Sequence, residues 1–285
     1  MRDMWQRAAT PGQADMFVTA EGIDHHVKIA NATGDIAQVD SSRPVSAMIH
    51  GSGIDTFLSF YFALHHPLAE LGFTNIMYDR RAHGRTPGPP GTLTIQQASA
   101  DLAGILDAVG AIAPVHLIGS SYGAAVAIDF AAHYPERTAS VVLLDGGAAT
   151  RSWREALCNI FRRAFDENDA EVCRLRRAGS SLQLRRLAES ISIVKRTTLL
   201  QDTAASRVVD DDTLNNLIMP ILAVYGEESE TMGLTRHDLE NLPNFEAKII
   251  PGVGHYLISQ ATASLRRLLL DFYRRHESRL VELNV

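Results

Sequence analysis

The chain has 285 residues, enough to bury a sizeable core as one large α/β domain or as two ordinary domains. Its 46% hydrophobic and 21% charged residues are those of a globular protein, which excludes a disordered or fibrous chain. A formal net charge of −6, with acids and bases interspersed, argues against nucleic acid as a partner.

The opening stretch, MRDMWQRAATPGQADMF, carries no apolar run of signal-peptide length, and no window reaches the length of a membrane span. The expected setting is the cytoplasm, with no membrane partner. Cys158 and Cys173 are read as free, packed thiols rather than a disulfide framework.

Residues 15–20 and 24–30 form a predicted hairpin turned at Glu21-Gly22, and PVSAMIH (44–50) is a predicted buried strand. A helix is expected over 56–71, then a strand at 73–79. TIQQ (94–97) has the form of a capping box, in which Thr94 caps the helix start and Gln97 reaches back. Leu102, Ile105, Leu106 and Val109 keep helical spacing until Gly110. PVHLIG (114–119) is a strand, 121–134 a helix and ASVVLLD (139–145) another strand. Residues 146–215 show no convincing strand and much helical spacing. Strands resume at 220–226 and 245–250, and the last helix puts Leu265, Leu268, Leu269 and Phe272 on one face.

Strand–helix alternation with continuous apolar strands implies a mostly parallel sheet covered by helices on both faces. A helical insertion of about 70 residues is too long for a loop and is read as a lid over the carboxyl edge of the sheet. The expected domains are therefore a core, 1–145 with 216–285, and a helical cap, 146–215.

Gly119-Ser120-Ser121-Tyr122-Gly123 fits G-x-S-x-G with Ser121 in the middle. It follows a buried strand and opens a helix rich in small residues. A sharp strand-to-helix turn needs glycine on either side of the serine, and it places the hydroxyl at a helix N-terminus. Shifting the register to Ser120 would put Ile118 and Tyr122 in the glycine positions. Ser121 is the candidate nucleophile. Of eleven histidines, His255 in PGVGHYL lies after the last strand and returns to the same sheet edge, so it is the candidate base. The pairs His25-His26 and His65-His66 lack metal-ligand spacing, and no metal is expected. His50-Gly51-Ser52-Gly53 follows a strand, and its turn can aim the Ser52 N–H at a substrate oxygen. The Tyr122 N–H would be the second oxyanion donor.

HGSG, YDRRAHGRT (78–86), GSSYG, PERTASVVLLD and PGVGH occur in the order seen in α/β-hydrolase fold proteins, and the chain resembles that superfamily. The resemblance implies a mostly parallel eight-stranded sheet, a Ser–acid–His triad and a cap after the sixth strand. One departure is Ala82, where relatives usually carry glycine. Another concerns the acid. Relatives usually carry it after the seventh strand in a pattern like G-x-x-D, but here that position is Ser229, which cannot stabilise an imidazolium as a carboxylate does. Some members of the fold carry the acid after the sixth strand, where Asp145 stands. Asp145 is the preferred acid, with Glu228 and Glu230 as alternatives.

The parts support acyl transfer without a cofactor. The favoured reading is a capped serine esterase or lactonase acting on a small, largely apolar molecule. Alternatives are hydrolysis of a carbon–carbon bond in a ring-cleavage product, a cofactor-free dioxygenase and a ligand receptor on the same fold. Candidate substrate-binding residues are Gly51, Gly53, Trp153, Leu157, Phe161 and Tyr256. The four-residue spacing of Trp153, Leu157, Phe161 and Phe165 fits either a pocket lining or a helix packed on the core. Arg151, Arg154, Arg162 and Arg163 fit either a carboxylate-attracting patch or a solvated face. A small-molecule substrate is the expected partner, and a homodimer is left open.

Overall fold

The computed structural model describes residues 16–53, 55–165, 181–215, 217–235, 237–278 and 280. Nine strands build the sheet: β1 (Met16–Ala20), β2 (Ile23–Asn31), β3 (Gly34–Asp35), β4 (Val45–Ile49), β5 (Thr74–Tyr78), β6 (Val115–Ser120), β7 (Thr138–Leu144), β8 (Ile221–Gly226) and β9 (Phe245–Ile250). Their order is β1-β2-β5-β4-β6-β7-β8-β9, with the two-residue β3 attached to β2 alone. The expected eight strands thus form the continuous path, and β3 is an addition. β1–β2 and β2–β5 pair antiparallel, and all pairs from β5–β4 onward are parallel.

The central strands are mostly apolar and buried because both faces are covered, with a few buried polar residues such as Ser46, Asn75 and His116. Ala47, Ile49, Val141 and Leu143 belong to one core, whereas Met48, Val142 and Leu144 belong to the other. This is the two-residue alternation of an extended strand, with neither face wet. The first core packs against helices α2 (Ile95–Ala108) and α3 (Tyr122–His133). The second packs against α1 (58–70) and against the C-terminal helix α10 (Thr262–His276).

The expected helix over 56–71 is interrupted. α1 comprises Leu58–Phe60, a π-helical turn Tyr61–His65 and His66–Glu70. Arg266 on α10 donates from Nε to the Ala63 carbonyl at 2.6 Å and from Nη2 to that of Phe62 at 3.3 Å. A widened turn leaves carbonyls free for such a partner. The capping box at α2 is half formed. Thr94 Oγ1 accepts from the Gln97 N–H at 3.2 Å, but Gln97 Nε2 donates forward to Asp101 Oδ1 at 3.1 Å. Asp101 is a buried carboxylate already held by Arg81, so it outcompetes the exposed box geometry.

Between β7 and β8 lie α4 (Arg151–Phe165), α5 (Ser181–Arg196), α6 (Leu199–Ala205) and α7 (Asp211–Asn215), with no strand among the described residues. Polar side chains from this segment hold the loop that leads into α2. Thr198 Oγ1 accepts from the Gly91 N–H, Asp202 Oδ2 from the Leu93 N–H and Ser206 Oγ from the Ile95 N–H, at 2.8–3.0 Å. Arg207 grips the fully buried Asp129 of α3 through two bonds of 2.6 Å. Cys158 is a buried free thiol, and Cys173 lies outside the described residues. Two further helices, α8 (Glu230–Thr235) and α9 (Leu257–Gln260), flank the last strand. Among the described residues no helix is long and apolar enough to cross a membrane.

Candidate active site

Ser121 follows β6 and caps α3 with φ 53° and ψ −116°, a conformation that side-chain-bearing residues rarely adopt. The turn closes because its neighbours lack side chains. A Cβ on Gly119 would stand 2.3 Å from the Gly123 carbonyl oxygen, and one on Gly123 would stand 2.0 Å from that of Ile49. Backbone therefore meets backbone on both sides of the serine, and the hydroxyl is pushed out above the sheet. Ser120, its neighbour, ends the strand.

Asp145 repeats this arrangement one strand over. It follows β7, has φ 49° and is fully buried. The Ser121 N–H donates to the Leu144 carbonyl at 2.9 Å, and the Asp145 N–H donates to the Val224 carbonyl at 2.8 Å. The ladder thus carries each strained residue on the strand beside it.

His255, in the turn between β9 and α9, spans the two. Its Nε2 lies 3.0 Å from Ser121 Oγ, and its Nδ1 bonds Asp145 Oδ2. With Nδ1–H donated to the carboxylate, Nε2 is left as the acceptor that faces the hydroxyl. The imidazole is about a third exposed, while the carboxylate behind it is buried. Asp145 Oδ1 accepts from the Gly226 N–H at 3.1 Å, and Oδ2 also accepts from Ser229 Oγ. The position that lacks an acid therefore supplies a hydroxyl to the acid that is present. Thr231 Oγ1 approaches His255 Nδ1 at 3.2 Å. The alternatives Glu228 and Glu230 are exposed and face solvent. No spacing signal in the sequence pointed to Ser229 or Thr231 as partners of the acid and base, since both contacts depend on how the β8–α8 turn folds back.

The loop after β4 lies against the serine. A Cβ on Gly51 would come within 3.3 Å of Ser121 Cβ. Tyr122 opens α3, where the first N–H groups have no acceptor within the helix. Ser52 and Gly53 are half-buried. The loop is held from beneath by Arg80, a buried residue that follows β5. Arg80 Nε donates to the His50 carbonyl and Nη2 to the Gly51 carbonyl, both at 2.9 Å, and Nη2 reaches Ser52 Oγ at 3.1 Å. The His50 ring is locked as a neutral tautomer. Its Nδ1 bonds the Gly51 carbonyl at 2.7 Å and its Nε2 accepts from the Arg80 N–H at 2.9 Å. Burial first, then the Arg80 charge, holds the His50 pKa well below the ordinary histidine value. The same two causes push His83 down to about 3. Burial pushes the Tyr122 phenol up to about 12, and its hydroxyl donates to the Leu93 carbonyl at 2.9 Å.

Trp153 and Phe161 of α4 are buried in the core that faces α3, with Trp153 packed on the Tyr122 ring at 5.9 Å between centroids. Leu157 is partly buried against the same core. These three side chains thus pack the helix onto the core. The side chain of Phe165 lies outside the described residues. Arg151 and Arg162 are exposed, and Arg154 donates to the Ser206 carbonyl at 2.8 Å. Tyr256 is half-exposed beside the His255 ring, 5.6 Å between centroids. Among the described residues no group of three or more His, Cys, Asp or Glu side chains is placed to hold a metal ion.

Comparison with known proteins bears on the family and the fold. The model of the alpha/beta hydrolase family matches residues 48–267. A 2-hydroxy-6-oxononadienedioate/2-hydroxy-6-oxononatrienedioate hydrolase from Paraburkholderia phymatum is 25% identical over 254 residues, 81% of this chain and 88% of its own. A solved structure of a putative lipase from Acinetobacter baumannii is similar at a TM-score of 0.73 and 17% identity, over 93% of this chain and 92% of that one. The meta-cleavage product hydrolase of Pseudomonas fluorescens gives 0.63 at 18% identity, over 91% and 97%. At these identities the structural likenesses show a shared fold.

Proposed function

Since this chain belongs to the alpha/beta hydrolase family, we propose that it is a serine hydrolase that cleaves a carboxylic ester or lactone of a small, largely apolar molecule. The observation that carries the reading is the 3.0 Å approach of Ser121 Oγ to His255 Nε2, with Asp145 bonded behind the ring. An otherwise inert hydroxyl is given a base, and the base is given a counter-charge.

In the proposed cycle, Ser121 Oγ attacks the carbonyl carbon as its proton passes to His255 Nε2. The charge that develops on the carbonyl oxygen is held by the N–H groups of Ser52 and Tyr122. The carbon–oxygen bond of the ester breaks, and the leaving alkoxide takes the proton from Nε2. Water then attacks the acyl carbon, giving one proton to Nε2. The hydroxyl stays with the released acid, and the proton returns to Ser121. Asp145 accepts the Nδ1–H throughout and stabilises the imidazolium. Gly51, Gly53 and Tyr256 border the reacting centre. The described helices between β7 and β8, within the expected cap 146–215, are proposed to shape the acyl side, with Trp153, Leu157 and Phe161 supporting its floor.

A second reading is favoured by the Paraburkholderia phymatum relative, whose name describes a hydrolase of a 2-hydroxy-6-oxo dienedioate. The HGSG loop suits such a substrate too. Cleavage there would break a carbon–carbon bond next to the ketone.

One experiment separates the readings. Purified protein is given p-nitrophenyl esters of several chain lengths and, separately, a 2-hydroxy-6-oxo dienoate followed by its absorbance. Ser121-dependent labelling by a fluorophosphonate together with ester turnover supports the first reading. Turnover of the dienoate with negligible ester hydrolysis supports the second. Absence of labelling and of both activities removes the hydrolase assignment.

A further inference from the structure

Two arginines stand side by side after β5, and the fold treats them differently. Arg81 is neutralised by Asp101 through bonds of 2.6 and 2.7 Å. Arg80 is 5% exposed, and its side-chain hydrogen bonds go to two backbone carbonyls and a hydroxyl. No carboxylate is in contact with it among the described residues. A buried guanidinium without a carboxylate in contact is costly, and the charges of Asp55 and Asp101 reach it only at longer range, so it needs a compensating role or a compensating charge. All three side-chain acceptors, the His50 and Gly51 carbonyls and Ser52 Oγ, belong to the loop beside Ser121. The face of the Tyr122 ring lies 4.6 Å from the guanidinium carbon. One side chain therefore touches both residues whose N–H groups are proposed to hold the oxyanion.

We propose that Arg80 is a positioning residue: it fixes the 50–53 loop so that the Ser52 N–H meets the substrate oxygen, and its charge is compensated when the oxyanion forms. The proposal rests on the acyl-transfer reading above. Two features of the guanidinium suit this task. Its planar fork can hold two consecutive carbonyls at once, which an ammonium on a flexible stem does less well. Its charge sits in a water-poor site, where a fixed positive centre acts on a developing anion more strongly than in bulk water. His50 completes the clamp by accepting the Arg80 backbone N–H, so the loop and the strand end are tied in both directions. The rest of the site already accounts for the base and the acid.

The test uses the full chain and two variants, Arg80→Met and Arg80→Lys. Three quantities are measured: ester kinetics, affinity for phenylboronic acid, and amide exchange across residues 50–53. Arg80→Met should lower kcat about 100-fold with KM within about 3-fold, because the lost interaction matters in the transition state. Its affinity for the boronate, which becomes anionic on adding to Ser121, should fall more than its affinity for the product acid. Exchange at 50–53 should speed up while the melting temperature stays close to the parent's. Arg80→Lys should recover part of both losses. A folded Arg80→Met that keeps the parent's kcat, or loses kcat and KM together, overturns the proposal. Unchanged exchange at 50–53 also overturns it. If the parent neither hydrolyses esters nor takes a fluorophosphonate, the acyl-transfer reading has failed, and the exchange measurement still judges the hold of Arg80 on the loop. If Arg80→Met fails to fold, Arg80→Lys is read by the same three measurements.

Discussion

The carboxyl edge of the sheet and the helical segment between β7 and β8 are built by opposite means. At the edge, Ser121 and Asp145 sit in strained backbone, each fixed by the N–H bond it gives to the next strand. Their positions follow from main-chain geometry and from glycines that admit no side chain. The helical segment is attached by side chains: Thr198, Asp202 and Ser206 accept from the 91–95 loop, and Arg207 holds Asp129. The contrast teaches that the proposed chemistry is placed by main-chain geometry, whereas the attachment of the helices rests on single side chains.

The sharpest break in that comparison comes at the edge. Asp145→Asn should lower ester turnover by about 10^4-fold with little change in melting temperature, because the amide favours the wrong imidazole tautomer. Glu228→Gln and Glu230→Gln should leave the rate unchanged in the same assay. Normal turnover in Asp145→Asn would remove Asp145 from the site.

Acid should expose the edge through its buried histidines. His50 and His83 are kept neutral in the folded chain, His83 down to about 3 against an ordinary value of 6.5. Their contribution to stability is fully present above about pH 6.5 and is lost as pH falls toward about 3, because the unfolded chain binds protons that the folded one refuses. Melting temperature should therefore drop across that window, and His83→Gln should flatten the dependence. An equally steep fall in His83→Gln would assign it to other groups.

On the helical side, Arg207→Ala leaves the buried Asp129 with His133 as its remaining ion partner among the described residues and should cost about 2–3 kcal/mol in urea unfolding. The ester kcat of the folded fraction should hold. A large loss of kcat would mean that the segment helps set the catalytic geometry, contrary to the comparison.

Two smaller effects sharpen it. Ser229→Ala removes one donor to Asp145 and should lower kcat about ten-fold, roughly 1.4 kcal/mol, with melting nearly unchanged. Ala82 has φ 63°, so Ala82→Gly should raise stability by about 0.5–1 kcal/mol in the same unfolding assay.

Much of this was legible in the residues. The central strands read as apolar runs because they are covered on both faces, and G-x-S-x-G after a strand marks an elbow because only glycine fits there. Ala82 stood out as a departure, and its positive φ supplies the physical reason. What escaped depends on contacts distant in the chain. The π turn in α1 is tied to Arg266, about 200 residues away. β3 is two residues long and has no periodicity to read. Ser229 looked like a missing acid, since spacing does not show that its hydroxyl turns toward Asp145. Arg80 carried no signal, since no pattern in the sequence shows that Asp101 bonds Arg81 and not Arg80.

The pairing of Asp145 with Ser229 has a consequence for how such chains are sorted. Asp145, after β7, bonds the imidazole Nδ1, while the turn after β8 brings Thr231 Oγ1 to the same nitrogen and Ser229 Oγ to the carboxylate. A survey that scores only the later strand end would miss the carboxylate that stands behind this ring.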